Sequence, residues 1–368
     1  MNVDGKHYRT VWFEDIGKPM VKIINQTKLP YAFEIENLDA VESVVSAIKN
    51  MHVRGAGCIG VTAAYGMCLA ANQSNGDFTK FESLAQKIKG ARPTATNLSW
   101  AVKRQLELVK KNIDEDWLSL TVGEALKISD EDSQWCKQIG DHGKNILLDI
   151  AKSKNDGCPV NILTHCNAGW LAFADWGSAT SPIYSAHRDG LSVHVWVDET
   201  RPLNQGSKLT SWELSNERVP HTIIADNAAG HLMASGMVDI VITGTDRTTS
   251  YGDVANKIGT YLKALAANDN GIPFYVALPS STFDWEAEEG GRGIPIEKRN
   301  SEEVKFISGL DSQGDIKKVS LSLPSANCAN YAFDVTPARL VTGLITERGV
   351  CSATRAGIEK VFPEKFDN

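Results

Sequence analysis

The sequence predicts an α/β protein with two unlike halves, and three observations support this prediction. From residue 160 onward, short apolar runs alternate with helix-like segments, which is the pattern of βαβ units and a parallel sheet. Residues 1–125 lack that alternation, and their apolar positions mostly follow helical spacing. The chain has 368 residues, of which 42% are hydrophobic, and is long enough for two domains.

The N-terminal half predicts a small β-sheet followed by helices. Strands are expected at residues 8–13 and 20–24, which are short and rich in apolar residues. Helices are expected at residues 38–50, 59–71, 78–89 and 97–111. Asn97 is the expected N-cap of the last helix, after Pro93. The charged segment 115–149 is expected to be helical and to lead into the second half.

The C-terminal half predicts a Rossmann-like parallel sheet. Strands are expected at residues 160–163, 193–197, 221–225, 238–243 and 274–277. A strand at 333–335 and a helix at 337–346 would be the last elements, and the irregular segment 286–326 is expected to be a long surface excursion. No GxGxxG turn follows the first strand, so a dinucleotide is not an expected ligand. The expected domains are residues 1–125, a helical connector at 126–158, and the sheet domain at 159–368.

Composition argues against several classes of partner. The net charge of −7 is spread along the chain without a basic run, so nucleic acid is not an expected partner. No stretch approaches the roughly 20 apolar residues of a membrane helix, and the polar residues 1–10 do not resemble a secretory signal. The seven cysteines include no CxxC pair, which argues against zinc and is typical of a reducing compartment. We therefore expect a cytoplasmic protein without membrane contact.

Two chemically active side chains directly follow predicted strands. Cys166 lies in the motif THCNAG after the strand at 160–163, and Asp246 lies in GTDR after the strand at 238–243. In an open parallel sheet, ligands bind outside the carboxyl ends of the strands, so both side chains are expected in one crevice. A thiol and a carboxyl there can transfer protons or support covalent chemistry. The sequence therefore favours an enzyme.

Each of these two residues also has an alternative interpretation. Cys166 is one of seven thiols, most of which are expected in the core, although a position at a helix N-terminus would lower its pKa. The neighbouring His165 is expected to point to the opposite face of the strand and not to cooperate with Cys166. Apolar walls would raise the pKa of Asp246 and Arg247 would lower it, so its protonation state stays open.

Two arginines precede predicted helices and suggest an anion site. Arg54, Gly55 and Ala56 come before the apolar helix at 59–71, where a glycine turn, free N–H groups and a guanidinium could hold phosphate. From these residues alone, a simple glycine turn that caps a core helix is the favoured interpretation. Arg92 also precedes a predicted helix, and its alternative is a solvated surface charge.

The loop after the strand at 193–197 is rich in charge. Gln205 opens the next helix and could hydrogen-bond to sugar hydroxyls. An ion pair of Arg201 with Asp198 or Glu199 that shapes the loop is an equally favoured interpretation. Asp226 follows the next strand, most simply as a helix cap.

Asn256 and Lys257 form another candidate pair. They are expected on a helix that begins near Gly252, where an amide and an ammonium suit phosphate or hydroxyl binding. The alternative is a lysine on a solvated helix face.

The strongest functional signal comes from several motifs that occur in a fixed order. They are VRGAGCIG, ARPTATNLSWAV, ILTHCNAG, VDETRPLNQGSKLTSWEL, GTDR, GDVANKIGTY, IPFYVALPSSTFD, IPIE and FDVTP. Together they span nearly the whole chain. In these motifs the chain resembles the methylthioribose-1-phosphate isomerase family, which is related to the regulatory subunits of translation initiation factor 2B.

The resemblance implies an enzyme that converts an aldose 1-phosphate, 5-methylthioribose 1-phosphate, to the corresponding ketose 1-phosphate in methionine salvage. It implies neither a metal nor an organic cofactor, a small-molecule substrate, and a homodimer. By the family pattern, Cys166 and Asp246 are the catalytic pair. The positions implied to bind the sugar phosphate are Arg54, Gly55, Ala56, Arg92, Gln205, Asn256 and Lys257.

The chain departs from the usual family pattern in three places. RGAG replaces RGAP, so Gly57 and Cys58 are expected to loosen the phosphate turn, and GTDR replaces GADR. Tyr331 stands where a proline is usual, after an insertion around residues 308–324. These changes could reshape the part of the pocket that holds the 5-substituent. A paralogous isomerase of 5-deoxyribose 1-phosphate, or of another 5-substituted ribose 1-phosphate, is therefore one alternative.

Two further alternatives follow from the same resemblance. A regulatory subunit that binds a sugar phosphate or nucleotide without isomerising it would share the fold, but the presence of both Cys166 and Asp246 favours the enzyme. An isomerase of ribose 1,5-bisphosphate would need a second cationic cluster. The sequence contains no evident cluster of that kind.

Overall fold

The N-terminal part of the computed structural model begins with a small sheet. The structure describes residues 1–15, 17–92, 95–155, 157–287, 291 and 294–366. The first strands are β1 (Asn2–Val3), β2 (Lys6–His7), β3 (Val11–Asp15), β4 (Pro19–Ile24) and β5 (Ile35–Leu38). Strands β3, β4 and β5 form an antiparallel sheet in that order. The first expected strand therefore exists but begins at Val11.

Helices pack on this sheet and form the first core. They are α1 (Val41–Lys49), α2 (Ala56–Ser74), α3 (Phe78–Lys89), α4 (Thr96–Lys111) and α5 (Trp117–Lys152). Helix α2 has no charged residue and is buried along almost all of its 19 residues, so the apolar cluster of this half closes around it.

The expected N-cap of α4 is wrong. Ala95 occupies that position, because the Asn97 side chain instead donates a hydrogen bond to Ser281 Oγ at 2.8 Å. This bond ties α4 to the second half of the chain. Pro93, which the prediction placed before the helix, lies outside the described residues.

Helix α5 joins the two halves. It is a single helix of 36 residues. Ala125 and Ile128, in its first part, belong to the core around α2, whereas Ile139 and Leu147 belong to the core of the second half. One rigid element therefore packs against both cores.

The second half contains the remaining strands and helices. The strands are β6 (Val160–Thr164), β7 (Val193–Asp198), β8 (His221–Ile224), β9 (Ile240–Thr243), β10 (Arg247–Thr249), β11 (Val254–Lys257), β12 (Phe274–Ala277), β13 (Phe283–Asp284), β14 (Phe306–Leu310), β15 (Ile316–Ser320), β16 (Phe333–Thr336), β17 (Gly343–Thr346) and β18 (Gly349–Cys351). The helices are α6 (Ser181–Arg188), α7 (Ser211–Asn216), α8 (Ala229–Ala234), α9 (Thr260–Asp269), α10 (Glu302–Lys305) and α11 (Arg355–Val361). None of the described helices is both long and apolar enough to cross a membrane.

Seven of these strands form the large sheet, in the order β18-β17-β12-β9-β6-β7-β8. All neighbours are parallel except β17 and β18 at one edge. The chain runs outward from β6 to β7 and β8, then returns to β9 and continues to β12 and β17. This reversal between β6 and β9 is a topological switch point, where the loops after the strands diverge and leave a crevice. The predicted α/β fold is confirmed.

The expected helix at 337–346 is wrong. A short 3₁₀ turn at Ala338–Leu340 is followed by β17, a fully buried strand that pairs with β12. A short, mostly apolar run has no periodicity that separates a central strand from a buried helix, which explains the error. The expected last strand exists as β16, but it belongs to a different sheet.

That second sheet has four strands in the order β13-β10-β11-β16. It also corrects the prediction for Asn256 and Lys257, which lie on strand β11 and not on a helix. They pair with Asp334 and Phe333 of β16, and the helix begins only at Thr260, after Gly259 with its φ of +103°. The sheet thereby fixes Lys257 beside the loop that carries Asp246.

The segment 286–326 is more regular than expected. It contains α10 and a hairpin of β14 and β15, although residues 288–290 and 292–293 lie outside the described residues. The hairpin forms most of the insertion around residues 308–324. Its tip exposes Leu310 and Ile316, which face each other across the two strands.

Candidate active site

Cys166 lies at the switch point, just beyond the end of β6. Its backbone adopts a φ of +67°, a left-handed conformation that is uncommon for a residue with a side chain and that often occurs at functional sites. Two hydroxyl groups hold this conformation. The Cys166 N–H donates to Thr200 Oγ1 at 2.8 Å, and Thr210 Oγ1 donates to the Cys166 carbonyl at 2.6 Å.

The expected helix N-terminus at Cys166 is wrong, because the next described element is a 3₁₀ turn at Trp170–Ala172. A different positive group lies beside the sulfur. Arg54 Nη2 is 4.0 Å from Cys166 Sγ, and both residues are buried. The guanidinium can therefore donate a hydrogen bond to the sulfur.

Arg54 is held rigidly by the residue that follows the cysteine. Its Nη1 donates to Asn167 Oδ1 at 2.6 Å and its Nη2 donates to the Asn167 carbonyl at 2.7 Å. This two-point contact fixes the plane of the guanidinium. The arginine is therefore preorganised before any ligand binds.

The turn after Arg54 allows α2 to begin close to the site. Gly55 has a φ of +87°, and a Cβ on it would overlap Ala172. Ala56 is then the first helical residue, so N–H groups at the start of α2 are available for an anion. The expectation that Gly57 and Cys58 loosen this turn is wrong, since a Cβ on Gly57 would overlap Asp132 and Phe173, and Cys58 is fully buried.

We expect Gly55→Ala to lower the free energy of unfolding by about 2–4 kcal/mol, because it adds a strained backbone conformation and a steric overlap. Gly76→Ala is the matched control, since Gly76 has a φ of +81° but nothing within 4 Å of its Cβ position. The control should lose only about 1 kcal/mol. Urea denaturation followed by circular dichroism measures both. Equal losses would show that Ala172 does not restrict Gly55.

Lys257 lies in the centre of the charged groups. Burial lowers the pKa of its ammonium group, Cys166 and Asp246 act to raise it, and Arg92 and Arg54 lower it further. These four groups therefore lie close enough to Lys257 to influence its charge. The alternative of a solvated lysine is wrong, because the side chain is buried and lies over the Phe333 ring at 5.3 Å.

Asp246 lies between the large sheet and the second sheet, and it is half-buried. Its N–H donates to the Ala255 carbonyl at 3.0 Å, which anchors the loop after β9 to strand β11. The neighbouring Arg247 donates to Asp284 Oδ2 at 2.9 Å. The arginine that was expected to lower the pKa of Asp246 therefore shares its charge with another carboxylate.

Asp246 and Arg92 line one cleft with about 460 Å³ of empty space, including its open mouth. Its other walls are largely apolar and include Ile59, Ala255, Ile294, Pro295 and Phe333. Arg92 is not a solvated surface charge, since its Nη2 lies 3.5 Å from Glu297 Oε2 and its guanidinium lies over the Phe333 ring at 5.8 Å. The cleft thus combines cationic and apolar walls.

Two amides complete the set of predicted ligands. Gln205 is 4% exposed, and its Oε1 is buried with no hydrogen-bond partner among the described residues. Asn256 is 5% exposed and donates to Thr260 Oγ1 at 3.0 Å. An unpaired buried oxygen is costly, so the Gln205 amide is suited to a bound hydroxyl group.

In the charged loop after β7, the described contacts include neither of the two expected ion pairs of Arg201. Asp198 Oδ2 lies 2.9 Å from His165 Nδ1 and 3.1 Å from Lys263 Nζ, while Arg201 donates to backbone carbonyls. His165 Nε2 lies 2.8 Å from the Ile258 carbonyl. Both ring nitrogens therefore have partners away from Cys166.

Asp226 is not a helix cap. It accepts the N–H groups of Thr200 and Arg201 at 2.7 Å each, and so shapes the loop that supports Cys166. Donor atoms of Asp226, Asp198 and His165 lie within 4.8 Å of one another, a grouping that could hold a metal ion. Lys263 already supplies a positive charge there.

Several structural residues of the site were not predicted from sequence. Thr200, Thr210 and Glu213 hold the Cys166–Asn167 loop, and Asn167 holds Arg54. They come from segments far apart in the chain, and nothing in their local sequence marks them as partners. Their presence within the motifs of the family resemblance was the available signal.

Comparisons with known proteins support the functional interpretation. Residues 52–353 match the family described as the initiation factor 2 subunit family. A methylthioribose-1-phosphate isomerase of Desulfatibacillum aliphaticivorans is 54% identical over 100% of both chains, and one of Escherichia coli is 53% identical over 99% of this chain and 97% of its own.

Solved structures give the same result. The 5-methylthioribose 1-phosphate isomerase of Pyrococcus horikoshii OT3 is 39% identical with a TM-score of 0.82, covering 98% of this chain and 97% of its own. The delta subunit of translation initiation factor eIF-2B from A. fulgidus is 36% identical with a TM-score of 0.79, covering 97% of this chain and 100% of its own. The chain therefore belongs to the initiation factor 2 subunit family and, within it, to the methylthioribose-1-phosphate isomerases.

Proposed function

We propose that Cys166 and Asp246 catalyse the isomerisation of 5-methylthioribose 1-phosphate to 5-methylthioribulose 1-phosphate, a step of methionine salvage. One observation carries this proposal. The two residues follow the two strands that flank the switch point, and both influence the charge of the same buried ammonium group, that of Lys257. A thiol and a carboxyl that both lie near one cationic group can act on one bound furanose.

The substrate explains why an acid is needed. Its anomeric oxygen carries phosphate, so the ring cannot open spontaneously to a free aldehyde. Asp246 in its protonated form donates to the ring oxygen as the bond from that oxygen to C1 breaks. Cys166 then assists the transfer of hydrogen from C2 to C1, as the base or as the group that stabilises developing charge. The C2 hydroxyl gives up its proton as it becomes the ketone, and this proton replaces the one that Asp246 donated, so the reaction has no net proton change.

The cationic groups are placed to hold the phosphate. Arg54 is fixed by Asn167, the start of α2 at Gly55 and Ala56 offers N–H groups, and Arg92 and Lys257 add charge. In this proposal the Gln205 and Asn256 amides bind the sugar hydroxyls.

The apolar walls favour a small apolar 5-substituent. Once the phosphate occupies the cationic groups, the remaining lining includes Ile59, Ala255, Ile294, Pro295 and Phe333. A methylthio group gains by leaving water for such a surface. A second phosphate would be desolvated there, and the further arginine of this lining, Arg247, already pairs with Asp284.

A substrate comparison tests this function. We expect kcat/KM to be highest for 5-methylthioribose 1-phosphate, about 10- to 200-fold lower for 5-deoxyribose 1-phosphate, and lower still for ribose 1,5-bisphosphate. A preference for the deoxy compound would identify a paralogous isomerase of the same reaction class. No turnover of any of the three would contradict the proposal.

We also propose that the protein acts as a cytoplasmic homodimer, as the family resemblance implies. Size-exclusion chromatography with light scattering should give twice the mass of the chain. A mass of one chain at micromolar concentration would contradict the dimer and leave the isomerase proposal intact.

A further inference from the structure

Glu213, on helix α7, is a carboxylate buried at the base of the site. It is 0% exposed and lies on the far side of Asn167 from Arg54. Its side chain accepts four hydrogen bonds, which come from Asn167 Nδ2, Leu171 N, Trp170 N and Tyr184 Oη at 2.8–2.9 Å. Neither oxygen is left unpaired.

The surroundings of Glu213 suit an ionised carboxylate. Burial has the larger effect and raises the pKa of Glu213 above its usual value, while the hydrogen bonds from Asn167, Leu171, Tyr184 and Trp170 act in the opposite direction and favour the charged form. Four donors require an acceptor with two oxygens, which a protonated acid or an amide would supply only in part. The loop after Cys166 also leaves room for the Glu213 carboxylate, because Gly169 has no side chain and a Cβ on it would overlap this carboxylate.

The hydrogen bond from Asn167 to Glu213 determines which end of the amide faces Arg54. Nδ2 donates to Glu213 Oε1 at 2.9 Å and, over a longer distance of 3.2 Å, to Thr210 Oγ1, so Oδ1 is the end that accepts from Arg54 Nη1 at 2.6 Å. A flipped amide would place two NH₂ hydrogens against the guanidinium, which is also only a donor. Arg54 would then keep its bond to the Asn167 backbone carbonyl but lose the second point that fixes the plane of its guanidinium.

We propose that Glu213 is a positioning residue that fixes the Asn167 amide and thereby holds Arg54 against the Cys166 sulfur and toward the phosphate. This inference rests on the proposed function for the identity of the phosphate ligand. Glu213 acts only through Asn167 and Arg54. Its effect should therefore be seen in anion binding and in the reactivity of Cys166.

The first test replaces the carboxylate by its isostere. Glu213→Gln puts an NH₂ group against at least one donor, so the Asn167 amide loses its fixed orientation. We expect KM for 5-methylthioribose 1-phosphate to rise about 10- to 100-fold, the effect of a lost hydrogen bond to a charged group, with a smaller change in kcat. Tyr184→Phe is the matched control, since it removes one of the four donors without touching Asn167.

The control separates positioning from stability. Tyr184→Phe should lower the melting temperature but change KM less than threefold. A KM that rises equally in both variants, or that does not rise in Glu213→Gln, would overturn the proposal.

A second readout needs no turnover, so it remains valid even if the proposed substrate is wrong. Iodoacetamide alkylation of Cys166 is followed by peptide mass spectrometry, with the exposed Cys158 as internal reference. Inorganic phosphate should protect Cys166 in the parent protein and in Tyr184→Phe. In Glu213→Gln we expect protection to need about 10-fold more phosphate or more. Equal protection in all three would overturn the proposal.

A charge exchange provides the rescue. In the double variant Glu213→Gln, Asn167→Asp, the glutamine donates to the new carboxylate, which still accepts from Arg54. We expect phosphate protection to return to within about threefold of the parent, and this variant decides the question if the single variant does not fold. If the double variant instead needs as much phosphate for protection as is expected for Glu213→Gln, Glu213 does not act by orienting the amide of residue 167.

Discussion

Cys166→Ser should lower kcat by about 10²- to 10⁴-fold, the usual contribution of a side chain that moves a proton in the transition state. A serine hydroxyl ionises far less readily than a thiol, so serine could not take over the proton transfer that we propose for Cys166. The two side chains are nearly equal in size, and the backbone bonds to Thr200 and Thr210 do not involve the sulfur. Folding should therefore be unchanged.

The matched control for this variant is Cys158→Ser, which changes an exposed thiol. It should retain the kcat of the parent within about twofold, because surface substitutions rarely act at a distance. Steady-state kinetics gives kcat, and thermal melting followed by circular dichroism checks the fold. Near-normal kcat in Cys166→Ser would remove the thiol from the proposed chemistry.

Asp246→Asn should also lower kcat by about 10²- to 10⁴-fold. The amide has the shape of the acid but cannot donate a proton to the ring oxygen. Because the phosphate-binding groups are untouched, KM should change much less than kcat. A variant with normal kcat would exclude Asp246 as the acid that opens the ring.

Asp284→Asn provides the comparison, since it neutralises a nearby carboxylate that pairs with Arg247 at 2.9 Å. Its kcat should fall less than tenfold if the role of Asp246 is specific. An equal loss in both variants would indicate that the total charge of this region matters, and not a proton from Asp246.

Local sequence patterns were sufficient to predict the positions of residues at the ends of β6 and β9 and in the turn before α2. Cys166 and Asp246 were predicted at one crevice because each follows a mostly apolar run, and such runs become central strands of a parallel sheet. The run of residues without charge that follows Arg54 and Gly55 indicated a buried helix, α2. These two residues could therefore be placed at its start. These inferences needed only local pattern.

Other elements could not be inferred in this way. The segment of β17 was expected to be a helix, because four buried residues with only Leu344 and Ile345 as large apolar side chains fit either structure until a neighbour such as β12 offers hydrogen bonds. Lys257 was expected on a helix, but it lies on strand β11. That strand pairs with β16, whose residues are far away in the chain, so the local sequence does not reveal the pairing. Sequence spacing contains no signal for such pairings.

The sequence by itself determined the fold class, the family and the two chemical groups that follow β6 and β9, because apolar runs and motif order are local properties. Only the tertiary structure decided how these groups are controlled. The Arg54 guanidinium replaces the expected helix N-terminus beside Cys166. Asn167 holds that guanidinium and is itself held by Glu213, and burial lowers the pKa of Lys257. Electrostatic effects of this kind depend on distance and desolvation, which exist only once the chain is folded.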